Sequence, residues 1–131
     1  WHLTTVEFFR QVRQHLTPEG VVAINVGHTP DDWRLVAIMV ATMREVFPSV
    51  YTIDVPETFN AILVGTVQPT TADHLAANLD LLKDKRLHAV GVSALHNLRA
   101  ITPSDRVFTD DRAPVEQLTN ALALRYILQM Q

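Results

Sequence analysis

The chain has 131 residues, 47% of them hydrophobic and 19% charged, with a formal net charge of -3 and a pI near 6.0. That length suits one domain able to bury a modest core unaided. The composition argues against a disordered tail, and no apolar run reaches the roughly 18 residues of a membrane-crossing helix. Eleven Lys and Arg are scattered along the chain, so no basic stripe for nucleic acid is present. With no cysteine there is neither a disulfide framework nor a thiolate metal site. The expectation is a soluble, cytoplasmic segment with no membrane contact of its own and no nucleic-acid partner. It opens Trp-His-Leu-Thr-Thr, without an initiator Met or a signal-peptide pattern, and reads as a piece of something longer.

Residues 4–16 place Val6, Phe9, Val12 and Leu16 on one helical face, and Thr4 and Glu7 have the spacing of a capping box. Thr17-Pro18-Glu19-Gly20 ends that helix. Val21 to Val26 follows as a short apolar run, the pattern of a strand buried on both faces. After Gly27-His28, the stretch Thr29-Pro30-Asp31-Asp32 predicts a helix start, and the helix from about Asp32 to Phe47 is apolar almost all round. Pro48 stops it. Val50 to Val55 and Phe59 to Val67 read as strands, joined by Pro56-Glu57-Thr58. A parallel crossover needs about a dozen residues, so these two strands are expected to pair antiparallel.

Thr70 to Asp73 opens another helix, with Leu75, Leu79 and Leu82 on its apolar face. Residues 86–101 carry helical spacing weakened by Gly91-Val92-Ser93. A loop over Thr102 to Arg112 precedes a last helix from about Ala113 to Met130, with Val115, Leu118, Leu122 and Ile127. A right-handed crossover makes the first strand parallel to the second, and the third can run back between them. The first strand is then left at an edge, which invites another strand.

The stretch HLTTVEFFRQVRQHLTPEGVVAINV resembles the helix, turn and buried strand of the spermidine synthase-like polyamine aminopropyltransferase family. VFTDDRAPVEQL is similar to that family's "TDD-x-APVE" ending. The resemblance implies an α/β chain, the C-terminal half of a Rossmann-like S-adenosylmethionine-dependent transferase fold, as a single fragment over residues 1–131. Its sheet would be three-stranded and mixed, end in an antiparallel hairpin and be flanked by helices. Val21 to Val26 would be the fifth strand of the complete sheet, Val50 to Val55 the sixth and Phe59 to Val67 the seventh. The Gly-rich turn and acids that hold the nucleoside would lie before Trp1, because none of the four glycines forms a G-x-G-x-x-G pattern. The complete protein would then use S-adenosylmethionine or its decarboxylated form, while this chain holds no cofactor and is inactive alone. Its partners would be the missing N-terminal half or a second copy paired along Val21 to Val26, with a polyamine-type substrate in the complete protein. Methyl transfer, or a noncatalytic binding or oligomerisation module, are the alternatives.

Four residues are substrate-binding candidates: Asn25 and His28 at the end of the first strand, where open α/β sheets bind ligands, and the Asp110-Asp111 pair. The aspartates have a plainer role, one capping the last helix and the other favouring its positive end. The plain role for Asn25 and His28 is strand-end hydrogen bonding. His2, His15, His28, His74, His88 and His96 include no i, i+4 pair, so no metal site is expected. Pro56-Glu57-Thr58 stands where the family carries a longer aromatic segment.

Overall fold

A computed structural model describes residues 2–129. After a single 3-10 turn at His2–Thr4 come α1 (Val6–Gln14), β1 (Val21–Gly27), α2 (Arg34–Arg44), β2 (Ser49–Asp54) and β3 (Asn60–Thr66). Three further helices follow: α3 (Ala72–Leu79), α4 (Lys85–His96) and α5 (Val115–Gln129). The chain is α/β, with an open sheet in the order β1-β3-β2. β3 therefore fills the gap between the two outer strands, as the crossover argument requires. Both of its pairings are antiparallel, Val21 facing Thr66 through Gly27 facing Asn60 on one side and Ser49 facing Thr66 through Asp54 facing Ala61 on the other. The expected mixed sheet is corrected to an antiparallel one. β1 and β2 point the same way, but β3 keeps them from touching, so no parallel ladder forms.

The register sorts side chains onto two faces, since directly opposed residues share a face. Val22, Ile24 and Val26 of β1 align with Gly65, Leu63 and Ala61 of β3 and with Val50, Thr52 and Asp54 of β2. That face receives α2. Gly65 is required there: a Cβ would meet two carbons of the Phe47 ring at 2.9 Å and Met43 at 3.0 Å. The all-round apolar character of α2 is explained by contact with all three strands on one side and with α1 and α5 on others, which buries Leu35, Val36, Ile38, Met39, Val40 and Met43. Phe9 closes the core edge-on to Phe47, with ring centroids 6.3 Å apart. On the opposite face α3 and α4 pack together, and α4 reaches β2. A cavity of about 370 Å³ remains between them and Val64, Ile53 and Tyr51.

Several boundaries and caps move relative to the sequence reading. Thr5, not Thr4, caps α1, its hydroxyl accepting from the Phe8 N–H at 3.2 Å. Glu7 instead accepts from the Asp110 backbone N–H at 3.2 Å, because the C-terminal segment runs past this helix end. The weakly patterned stretch after Leu82 is helical from Lys85 to His96, started by Asp84, whose carboxylate accepts from the Arg86 and Leu87 N–H groups. Leu82 lies beyond the end of α3, and Ile127 is exposed on α5. The predicted helix end at Met130 falls outside the described residues.

The two lateral edges of the sheet differ. Along β2, the Arg99 N–H donates to Thr52 O at 2.9 Å and the Asp54 N–H to Asn97 O at 3.0 Å, so the segment after α4 covers that edge. β1 has no strand neighbour on its outer side among the described residues. A groove of about 330 Å³ runs beside it, lined by Leu3, Ile24, Asn25, Gly27, Leu35 and Val115.

The β2–β3 hairpin turns through Glu57, whose φ of 60° is left-handed. A side chain strains that conformation by roughly 1–2 kcal/mol relative to glycine. Glu57→Gly is expected to stabilise the fold by up to about 1 kcal/mol, read as a higher urea midpoint; a lower midpoint contradicts this turn geometry.

Candidate functional site

β1 and β2 both end at the same end of the sheet, and the chain builds a polar cluster there. His28 follows β1 and is fixed by its backbone N–H, which donates to Phe59 O at 2.9 Å. The next four residues make a tight turn in which Thr29 and Asp32 exchange backbone hydrogen bonds, each 3.2 Å long. Trp33 then precedes α2 and stacks on the His28 imidazole, the ring centroids 3.7 Å apart and the planes 25° from parallel. From the other strand, Asp54 closes β2 on the same face.

Asp54 joins the pieces. Its Oδ1 lies 3.3 Å from His28 Nε2 and its Oδ2 3.1 Å from Arg99 Nη2. The Arg99 guanidinium carbon also sits 4.6 Å from the Trp33 ring centroid. His28 is 93% buried by its 7% exposure, and Nδ1 lies 3.1 Å from Thr29 O. Its Nε2 approaches Asp54 at ion-pair distance without the alignment of a hydrogen bond, and so is a buried polar atom lacking a hydrogen-bond partner. With a hydrogen on Nδ1, the neutral ring turns a lone pair toward the carboxylate; the imidazolium turns a proton toward it.

Beside this cluster the buried Asp32 anchors the turn. It accepts from the Arg34 backbone N–H at 3.1 Å, from Nε at 2.9 and 3.0 Å and from Nη2 at 2.6 Å, while Arg125 of α5 stands 3.7 Å away. Hydrogen bonding from the Arg34 side chain holds the Asp32 carboxyl below its usual value of 3.8, against the opposing effect of burial. A buried carboxylate is tolerated only with such partners.

The four candidates from sequence are not gathered into one site. His28 belongs to the cluster. Asn25 is exposed on β1 and lines the groove along its outer edge. Asp110 and Asp111 are the central pair of a turn closed by Arg112 N–H to Thr109 O at 2.9 Å, and α5 begins four residues beyond them at Val115. Asp110 serves the first helix instead of the last, its Oδ1 accepting from the Thr5 hydroxyl at 2.7 Å. Asp111 lines a separate cleft of about 590 Å³ with Ile38, Phe108 and Leu118. Trp33, Asp54 and Arg99 were missed. Asp54 carried a signal, an acid at the carboxyl end of a strand parallel to β1, whereas Arg99 reaches the site only through a backbone bond to Thr52.

No group of three or more His, Cys, Asp or Glu side chains able to hold a metal occurs among the described residues. Gly20, Gly27, Gly65 and Gly91 are dispersed along the chain, and none has positive φ. No helix among the described residues is long and apolar enough to cross a membrane. Comparison with protein-family models, with curated proteins and with solved structures gives no match.

Asp32 makes the turn pH-sensitive in a defined direction. Because its folded value is depressed, its contribution is complete above about the ordinary 3.8 and is lost as pH falls below that through the folded value. Asp32→Asn is expected to cost about 1–3 kcal/mol at neutral pH, and the gap from the native chain should close in strongly acidic solution. Equal stability of the two proteins at neutral pH contradicts the role assigned to Asp32.

Proposed function

We propose that this chain is the C-terminal portion of a spermidine synthase-like aminopropyltransferase domain, with the Rossmann-like fold of S-adenosylmethionine-dependent transferases. In the complete protein it walls the amine-acceptor side, and the nucleoside-binding half comes from elsewhere in the domain. The observation that supports this reading is the strand order β1-β3-β2, with the last strand inserted antiparallel and no strand beside the outer edge of β1 among the described residues. In the family resembled by the flanking motifs, that order ends the sheet and a fourth strand lies beside the fifth. On this reading that strand would lie along the groove beside β1, whose lining includes Leu35 and Val115.

On this reading the chain contributes His28 and its neighbours at the carboxyl end of the sheet, where the acceptor would approach. The hairpin turn around Glu57 lacks the family's aromatic segment, so a polyamine is not the only acceptor this reading accommodates. Chemistry would follow the donor: decarboxylated S-adenosylmethionine delivers an aminopropyl group and S-adenosylmethionine a methyl group. In the complete protein, turnover of an amine acceptor is expected with the decarboxylated donor, and none is expected from the 131-residue chain alone. Turnover with S-adenosylmethionine only would replace aminopropyl by methyl transfer. An upstream coding frame without a strand and Gly-rich turn would remove both transferase readings.

The bare β1 edge also favours a second reading, a noncatalytic module that pairs with a copy of itself through Val21 to Val26. That reading predicts a dimer by sedimentation and a monomer for Ala23→Lys, a substitution at an exposed edge position. A native monomer at high concentration rules it out.

A further inference from the structure

We infer that the cavity beneath α3 and α4 is a binding site for a small neutral molecule, mainly apolar and carrying one hydroxyl group. The two faces of the sheet are finished differently. Under α2, Ala61 and Leu63 are fully buried. On the other face Tyr51, Ile53 and Val64 stay half-buried beneath Leu75, Ala94 and Leu98, and a cavity of about 370 Å³ lies between them. Protein interiors keep few voids larger than a water molecule, whereas ligand pockets begin at roughly 300 Å³. The walls are nevertheless tied together. Leu79 of α3 packs into the place that a Cβ on Gly91 of α4 would take, so the two helices of the roof meet closely. Ser49 Oγ donates to Thr70 O at 3.1 Å and accepts from the Thr70 N–H at 2.9 Å, which ties the segment entering α3 to β2.

The polar groups of the wall select the ligand's functional group. Thr66 Oγ1 donates its only proton to Gln68 O at 2.7 Å, so in its 3.1 Å contact with Thr70 Oγ1 it accepts. Thr70 therefore donates to Thr66, and the Tyr51 hydroxyl, 2.9 Å away, donates to Thr70. Tyr51 Oη is left as an acceptor. His74 is set the opposite way: its Nδ1 accepts from the Thr71 N–H at 3.1 Å, which puts the proton of the neutral ring on Nε2. The wall thus offers an acceptor at Tyr51 and a donor at His74, and the Asn78 amide one helical turn further on can serve as either. A hydroxyl group, which donates and accepts at one atom, answers both. The lining contains no Lys or Arg and one exposed carboxylate, Glu19, so an anion such as a fatty carboxylate would meet a like charge with no counter-charge.

The inference goes beyond the proposed function and does not rest on it, since the cavity lies on the sheet face away from α2. It is tested on the 131-residue chain by titrating 1-hexanol and following the methyl groups of Ile53 and Val64 by NMR. The isomeric ether 1-methoxypentane, which accepts a hydrogen bond but cannot donate one, is the comparison ligand. Saturable shifts of those methyls are expected with the alcohol. In Tyr51→Phe the ratio of alcohol to ether affinity is expected to fall roughly three- to tenfold, the worth of one hydrogen bond. Ala94→Leu and Ala94→Phe, which fill the cavity, are expected to abolish binding of both ligands. The inference is overturned if the native chain shows no saturable shift, if the ratio is unchanged in Tyr51→Phe, or if an Ala94 variant with native spectra binds undiminished. Should both Ala94 variants fail to fold, the Tyr51→Phe ratio decides.

Discussion

β3 is paired on both sides, and that double pairing positions the core helix and the ends of both outer strands. Its residues from Asn60 to Thr66 are matched on one side by β1 and on the other by β2, from Asp54 upward. Because side chains alternate along a strand, this single register places Ala61, Leu63 and Gly65 under α2 and sets Val26 and Asp54 on the same face. A slip of one residue would turn Leu63 to the other face and set the bulk of Ile62 or Val64 against Phe47. The same register brings the ends of β1 and β2 to one end of the sheet, so the His28–Asp54 approach is a consequence of core packing. The outer strands cannot touch, and each is left with an outer edge of its own.

Those edges are managed differently, and the difference shapes the functional argument. The edge of β2 is covered by Asn97 to Arg99, whose backbone bonds also deliver the Arg99 side chain to Trp33 and Asp54. Covering an edge and building a site are here one event. The edge of β1 has no such cover among the described residues, and a long uncovered edge strand with exposed Val21 is an invitation to another strand. On the proposed reading the visitor is a strand of the same domain; on the alternative it is β1 of a second copy.

Much of the fold was legible in the sequence. Strand lengths, the antiparallel hairpin and the central position of β3 followed from apolar runs, a three-residue link and the handedness of crossovers, all local or generic constraints. The caps and the site were less legible. Thr4 and Thr5 are equally good caps by type, and the choice of Thr5 is made by a contact with Asp110, 105 residues away. The Asp110-Asp111 pair looked like the start of α5, yet it forms a turn whose first acid braces α1, because Phe108 threads between α1 and α2 with its N–H on Thr42 and its C=O on Val6. Asp32 sits in a similar Thr-x-Asp-x context, and its arginine partners on α2 and α5 could not be read from spacing alone. Of the polar cluster only His28 was anticipated. Trp33, Asp54 and Arg99 come from three separate segments, and nothing local marks them as neighbours.

β1 is paired on one side only among the described residues, and amide hydrogen exchange reads that pairing residue by residue. In the 131-residue chain as a monomer, every second amide of Val21–Gly27 should exchange fast, those turned to the open edge, while the alternate amides bonded to β3 stay protected. In a longer protein that completes the sheet, both sets should be protected. Uniform protection of β1 in the monomeric chain would contradict the account, because its outer edge would then already be covered and nothing in the fold would await a further strand.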